Sequence, residues 1–153
     1  MMGLFVGSLV IAFAFVVGAW IRLAPSADER RLGKLRAAAS LRGLKLRWVS
    51  GAERERLGLP SGLTWYGLAL LQPLPGNGST CVAVPQEGTW RWVDGAGPEA
   101  ALQDVPAGVH ALQVGDGLLQ AAWDERDETL LEPLALWLDA RRAGLGSDKQ
   151  APH

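Results

Sequence analysis

Two histidines and one cysteine are the side chains of this 153-residue sequence best suited to metal or nucleophilic chemistry, and their spacing supports neither. His153 is the terminal residue. His110 opens the apolar stretch Val109-His110-Ala111-Leu112, with no Cys, Asp or Glu at the short intervals a zinc site uses. Cys81 with His110 would supply the two halves of a thiolate–imidazole dyad. Yet Cys81 belongs to the run Cys81-Val82-Ala83-Val84, where a cysteine behaves as a small buried hydrophobe with an inert thiol. A lone cysteine also forbids an internal disulfide, which fits a reducing compartment. The acidic run Asp124-Glu125-Arg126-Asp127-Glu128 lacks the alternating ligands and the glycine of a calcium loop. It reads as the approach to a helix N-terminus, where the helix dipole favours carboxylates. Gly95-Ala96-Gly97 leads into Pro98 and not into a phosphate-binding helix, and no Walker pattern is present. Asn77-Gly78-Ser79 has the form of a glycosylation acceptor, but in a cytoplasmic domain it is a turn. The sequence therefore leads us to expect no catalytic, cofactor-binding or metal-ligating residue, and no enzyme.

Aromatic residues are the remaining candidates. The chain has seven tryptophans, and Trp90 and Trp92, two apart, share one face of a strand while Arg91 takes the other. Core packing beneath a C-terminal helix is the first use for such rings. The second is a partner-binding surface, for which Trp90, Trp92 and Trp137 are the candidates. Base stacking on nucleic acid is disfavoured by charge. From Leu57 to His153 there are five Lys and Arg against twelve Asp and Glu, a surface that repels phosphates.

The elements that must position these residues follow from periodicity and from capping signals. Ser26 and Glu29 form a capping box at the start of a helix carrying Leu32, Leu35 and Ala39 on one face and ending near Gly43. Alternation then predicts a strand from Leu44 to Val49 and, after the charged link Glu53-Arg54-Glu55-Arg56, a second from Leu63 to Gln72. A third and a fourth run from Thr80 to Val84 and from Thr89 to Val93, with a short helix from Pro98 to Asp104. Val109 to Val114 and Leu118 to Trp123 flank Asp116-Gly117, a strong hairpin signal. The last helix runs from about Asp127 to Ala143, with Thr129 and Glu132 as its capping box and Leu130, Leu134, Trp137 and Leu138 as its packing stripe. Links such as Pro85 to Gly88 leave no room for parallel crossovers. The expected fold class is α+β, a mostly antiparallel sheet of about six strands with helices on one face.

A different kind of signal precedes this domain. Gly3 to Ile21 is nineteen residues without charge, which at 1.5 Å per residue matches a hydrocarbon core of about 30 Å. Trp20 and Arg22 suit its headgroup boundary as anchor ends. A cleaved signal peptide would want cations before the apolar run and a neutral small-x-small site after it; Arg22 and Pro25 oppose both. The expectation is a retained single transmembrane helix. Arg22, Arg30, Arg31, Lys34 and Arg36 all follow the span and no Lys or Arg precedes it. The positive-inside rule then leaves the N-terminus outside and the domain cytoplasmic. From Arg22 to Arg56 there are ten Lys and Arg against four Asp and Glu, so anionic lipid headgroups are possible partners of the juxtamembrane helix. The division is an anchor at 1–24, a basic helix at 25–43, an α+β domain at 44–145 and a disordered tail at 146–153.

The stretch Trp20-Ile21-Arg22-Leu23-Ala24-Pro25 through Arg36 resembles the layout of YajC, the accessory subunit family of the bacterial Sec translocase. That family has a short outside N-terminus, one span, a proline soon after it, a basic helix and a small cytoplasmic β-rich part. The likeness covers about a quarter of the chain and implies an inner-membrane topology and, by extension, a translocase accessory role. From Leu63 onward the likeness ends. The sequence thus points to a membrane-anchored, non-enzymatic accessory protein whose partners are the lipid bilayer and another membrane or membrane-proximal protein. Its alternative is a small-ligand sensor or enzyme with a pocket between the sheet and the C-terminal helix.

Overall fold

The computed structural model describes residues 16–18, 25–72, 74 and 79–145. The expected span, with its ends Trp20 and Arg22, lies outside them except for Val16, Val17 and Gly18, which are helical; so does the expected tail at 146–153. Among the described residues no helix is long and apolar enough to cross a membrane. The chain divides into two compact units, Met1–Lys34 and Leu35–His153.

In the first unit, helix α1 (Ala27–Leu41) begins behind the expected capping box. The Ser26 hydroxyl accepts the Glu29 N–H at 3.1 Å, and the Glu29 carboxylate accepts the Ser26 N–H at 2.6 Å. Two of the four orphan donors of the first turn are thereby satisfied.

The second unit contains the C-terminal part of α1 and then β1 (Lys45–Trp48), α2 (Gly51–Leu57), β2 (Thr64–Ala69), β3 (Cys81–Gln86) and β4 (Thr89–Asp94). A 3₁₀ turn (Glu99–Leu102), β5 (Val109–Gly115), β6 (Leu118–Trp123), a second 3₁₀ turn (Glu128–Leu130) and α3 (Leu131–Leu145) complete it. The six strands form one sheet in the order β1-β2-β6-β5-β3-β4, and every neighbouring pair is antiparallel. The chain is therefore an α+β protein. Two hairpins close through two residues of positive φ, Glu87-Gly88 at 50° and 79° and Asp116-Gly117 at 51° and 72°. These angles match the strand twist, and glycine at the second position adopts them without a Cβ penalty.

Register sorts the side chains into two faces. Trp65 lies opposite Ala122, and Ala122 opposite Ala111. These three form a buried cluster with Leu59 and Leu63, against which Val49, Leu57 and Val84 pack. The other face carries Tyr66, Leu68, Leu112, Val114, Leu119, Ala121 and Trp123, all buried. Helix α3 lies against β2 and β6. It buries Leu131, Leu134, Trp137 and Leu138, leucines that lie outside the Trp65 cluster.

Three sequence expectations need correction here. Helices do not keep to one face: Arg36 of α1 reaches the Tyr66 side, whereas Leu57 of α2 packs on the Trp65 side. The segment expected as a charged link is α2 itself. Ser50 accepts the Glu53 N–H, Glu53 accepts the Ser50 N–H, and Gly58 closes the helix at φ 64°. At α3 the cap is not the Thr129–Glu132 box; the Asp127 carboxylate accepts the Thr129 N–H at 3.0 Å and starts a 3₁₀ turn that feeds the helix. That pairing also holds the Asp127 carboxyl below its usual range, through the Thr129 hydroxyl and N–H. Pro133 then falls in the first turn of α3, where a missing N–H costs nothing.

Among the described residues all buried hydrophobic ones lie at or beyond Leu35, so a fragment spanning 25–145 is expected to fold without the preceding segment. Dispersed amide resonances and a single cooperative urea transition are the expected readouts. A non-cooperative transition would count against it.

Candidate functional site

The densest polar chemistry in the described residues is buried, and no local sequence pattern announces it. Tyr66 lies on β2, Glu125 follows β6, and Arg36 comes from α1. Arg36 Nε donates to Glu125 Oε1 at 2.8 Å, and its Nη2 donates to Oε2 at 2.5 Å. The Tyr66 hydroxyl donates to the same Oε1 at 2.6 Å. The Glu125 side chain is only 3% exposed and that of Arg36 26%. Glu125 also adopts φ 55°, the left-handed region that costs a non-glycine residue free energy. Across this bend the Asp124 carboxylate accepts the Arg126 N–H at 3.2 Å. An edge-on ring pair between Tyr66 and Trp123, 5.4 Å between centroids, fixes the phenol. Outside the pair, Arg36 stacks on the exposed Trp48 ring at 4.2 Å.

Electrostatically the cluster is closed. The hydrogen bond to Glu125 raises the Arg36 guanidinium above its ordinary range, against the opposing effect of burial. Burial raises the Tyr66 phenol furthest, and the hydrogen bond and charge of Glu125 raise it further. A bidentate guanidinium with a phenol on one carboxylate satisfies donors and acceptor together. Such an arrangement holds an element in position and offers no exposed acid or base to a substrate.

Its pH dependence has a definite sign. Tyr66 has a raised folded-state pKa, so the native state keeps a proton that the unfolded chain releases near pH 10. The stabilisation is complete below about pH 10 and declines as pH rises above it. Urea unfolding between about pH 10 and 11 is expected to give a slope flatter by about 1 kcal/mol per pH unit in Tyr66→Phe than in the parent, because the unfolded phenol is only partly ionised in that window. Equal slopes would mean that the phenol ionises freely in the fold.

The residues weighed from sequence are dispersed. Cys81 is buried and lies opposite Val114, four residues along β5 from His110. At strand rise that is about 13 Å, too far for a dyad. His110 Nε2 instead lies 3.3 Å from Asp124 Oδ2, with the Arg126 N–H on Oδ1. Asp124 is a partner that sequence reasoning missed, because it stands across the β5–β6 hairpin and not nearby in sequence. Among the described residues no three His, Cys, Asp or Glu side chains gather as metal ligands.

Trp137 is 8% exposed and its Nε1–H donates to the Gln103 carbonyl at 2.9 Å; it is a core residue. Trp90 and Trp92 are half-buried on β4, opposite Pro85 and Ala83. Trp92 packs against Gly97, where any side chain would overlap its ring. The three tryptophans expected to form one surface therefore divide into a buried residue on α3 and two on an outermost strand. The Arg36–Glu125–Tyr66 cluster was missed altogether. One signal was available: Tyr66 is the only tyrosine, and a buried tyrosine in an apolar strand must find a hydrogen-bond acceptor. Comparison with known proteins adds no family: no family model, no curated protein and no solved structure matches the chain.

Proposed function

We propose that this chain is a single-pass, membrane-anchored interaction protein without catalytic activity, whose α+β domain lies on the cytoplasmic side of an inner membrane and binds another membrane or membrane-proximal protein. The observation that carries the reading is the uncharged run from Gly3 to Ile21 followed at once by Arg22, Arg30, Arg31 and Lys34. The second unit is consistent with it, because its most buried charges are spent on one another in the Arg36–Glu125–Tyr66 cluster. Tethering suits such a role: confinement to the bilayer raises the effective concentration at which a weak partner is met.

The reading is tested by topology and by mass. A fluorescent protein fused after His153 is expected to be bright and an alkaline phosphatase fusion inactive. The intact mass of the membrane-extracted chain should include Gly3 to Ile21. An active phosphatase fusion would reverse the orientation, and a product beginning near Asp28 would remove the anchor.

A further inference from the structure

We infer that the free edge of β4 is a docking site for an extended segment of a partner protein, a strand carrying an acidic residue between apolar ones. This rests on the interaction reading above and specifies its surface. β4 is an outermost strand, and no strand among the described residues pairs with its outer side. A six-residue edge leaves a row of backbone N–H and C=O groups whose natural complement is another strand. The two edges of the sheet differ in how they treat this hazard. β1 is four residues long and places Lys45 and Arg47 along its edge, the latter tied to Glu53 of α2. Short length and charge are the usual devices that blunt an edge. β4 reads Thr-Trp-Arg-Trp-Val-Asp, contains no proline, and ends in an Asp94 already paired with Arg56.

The β3–β4 hairpin also projects beyond its neighbour. β5 pairs with β3 only at Cys81, Val82 and Ala83, whereas β4 pairs with β3 out to Gln86. Trp90 and Pro85, facing each other, therefore stand on an arm that β5 does not back. On one face of β4, Trp90 and Trp92 offer half-buried rings. On the other, Arg91 stands between Thr89 and Val93, the last 43% exposed, and makes no ion pair among the described residues. An incoming antiparallel strand would thus meet one cation on one face and aromatic rings on the other, which selects an acidic residue opposite Arg91 and apolar neighbours beside the tryptophans.

A second copy of the chain fits this edge poorly. Side-chain alternation allows two centred antiparallel registers of β4 on itself. One sets Arg91 against Arg91, and the other leaves Arg91 opposite Val93, so neither supplies the acid.

The test uses the full chain in nanodiscs of neutral lipid and a displayed library of nine-residue peptides. Enriched peptides are expected to carry an Asp or Glu flanked at alternate positions by apolar residues. Adding one should slow amide exchange at Thr89–Asp94 at least tenfold and leave Lys45–Trp48 unchanged. Arg91→Glu should weaken that peptide at least tenfold, with Arg91→Lys restoring most of the affinity. Failure to enrich any peptide overturns the proposal, as do peptides that protect another segment or bind Arg91→Glu equally well. Exchange at β4 that slows with protein concentration alone also overturns it, in favour of a second copy. Loss of co-elution with the nanodisc would instead sink the anchor reading, and the peptide measurement would still decide the edge.

Discussion

Replacing Arg36 by alanine is expected to lower the stability of the 25–145 fragment by about 3–5 kcal/mol, the cost of stranding a buried charge. The magnitude follows from where the two partners sit. Glu125 is almost fully enclosed, so its carboxylate cannot recover the lost hydrogen bonds from water. The Tyr66 hydroxyl continues to donate to one oxygen, but a neutral donor compensates a charge only in part. The same substitution removes the guanidinium stacked on Trp48. Glu125→Gln should cost less, about 1.5–3 kcal/mol, since Arg36 is the more exposed partner and can take up water. Combining the two changes should return part of what Arg36→Ala loses, because a buried amide is cheaper than a buried carboxylate. Equilibrium urea unfolding of the four proteins closes the cycle. A loss below about 1 kcal/mol for Arg36→Ala would place the pair with ordinary surface ion pairs, and the cluster would not be what fixes α1.

Features governed by neighbours in sequence were legible, and features governed by long-range pairing were not. The capping box at Ser26, the Asp116-Gly117 hairpin and the six strands follow from spacing within a few residues, and the structure contains all of them. Helix α2 was equally local, since Ser50-Gly51-Ala52-Glu53 is a capping-box pattern. It was obscured by the alternating charges of Glu53-Arg54-Glu55-Arg56, which read as a solvated link. The failure at the face of the sheet came with it: a helix not anticipated cannot be assigned a side, and Leu57, Leu59 and Leu63 had no stated role until they met Trp65. Arg36 and Glu125 are 89 residues apart. Nothing in either neighbourhood says that a cation of the basic helix closes on an acid just after the last strand, because such a match exists only once the sheet order brings β6 beside β2. The partition of the tryptophans was hidden for the same reason. Trp92 and Trp137 have similar surroundings in sequence, yet one is on an outermost strand and the other on α3, which packs against the central strands β2 and β6.

Trp137→Ala is expected to lower stability by about 3–5 kcal/mol, the usual cost of deleting a large aromatic from a core. The ring contributes twice. It is buried in the stripe with Leu131, Leu134 and Leu138, and its Nε1–H satisfies the Gln103 carbonyl just after the 3₁₀ turn at Glu99–Leu102. Alanine therefore leaves a cavity and an unpaired carbonyl together. Phenylalanine separates the two contributions. It keeps most of the apolar volume and loses the hydrogen bond, so Trp137→Phe should cost about 1–2 kcal/mol. Leu136 is the control within the same helix: one residue away and 62% exposed, its replacement by alanine should change stability by no more than about 0.5 kcal/mol. The contrast between adjacent positions tests the orientation of α3, and thermal or urea unfolding of the three variants reads it. Equal small effects at Trp137 and Leu136 would mean that the helix does not pack on the sheet through this stripe. A large loss in Trp137→Phe as well as in Trp137→Ala would shift the weight from packing to the Gln103 hydrogen bond, making that turn the part of the fold α3 chiefly secures.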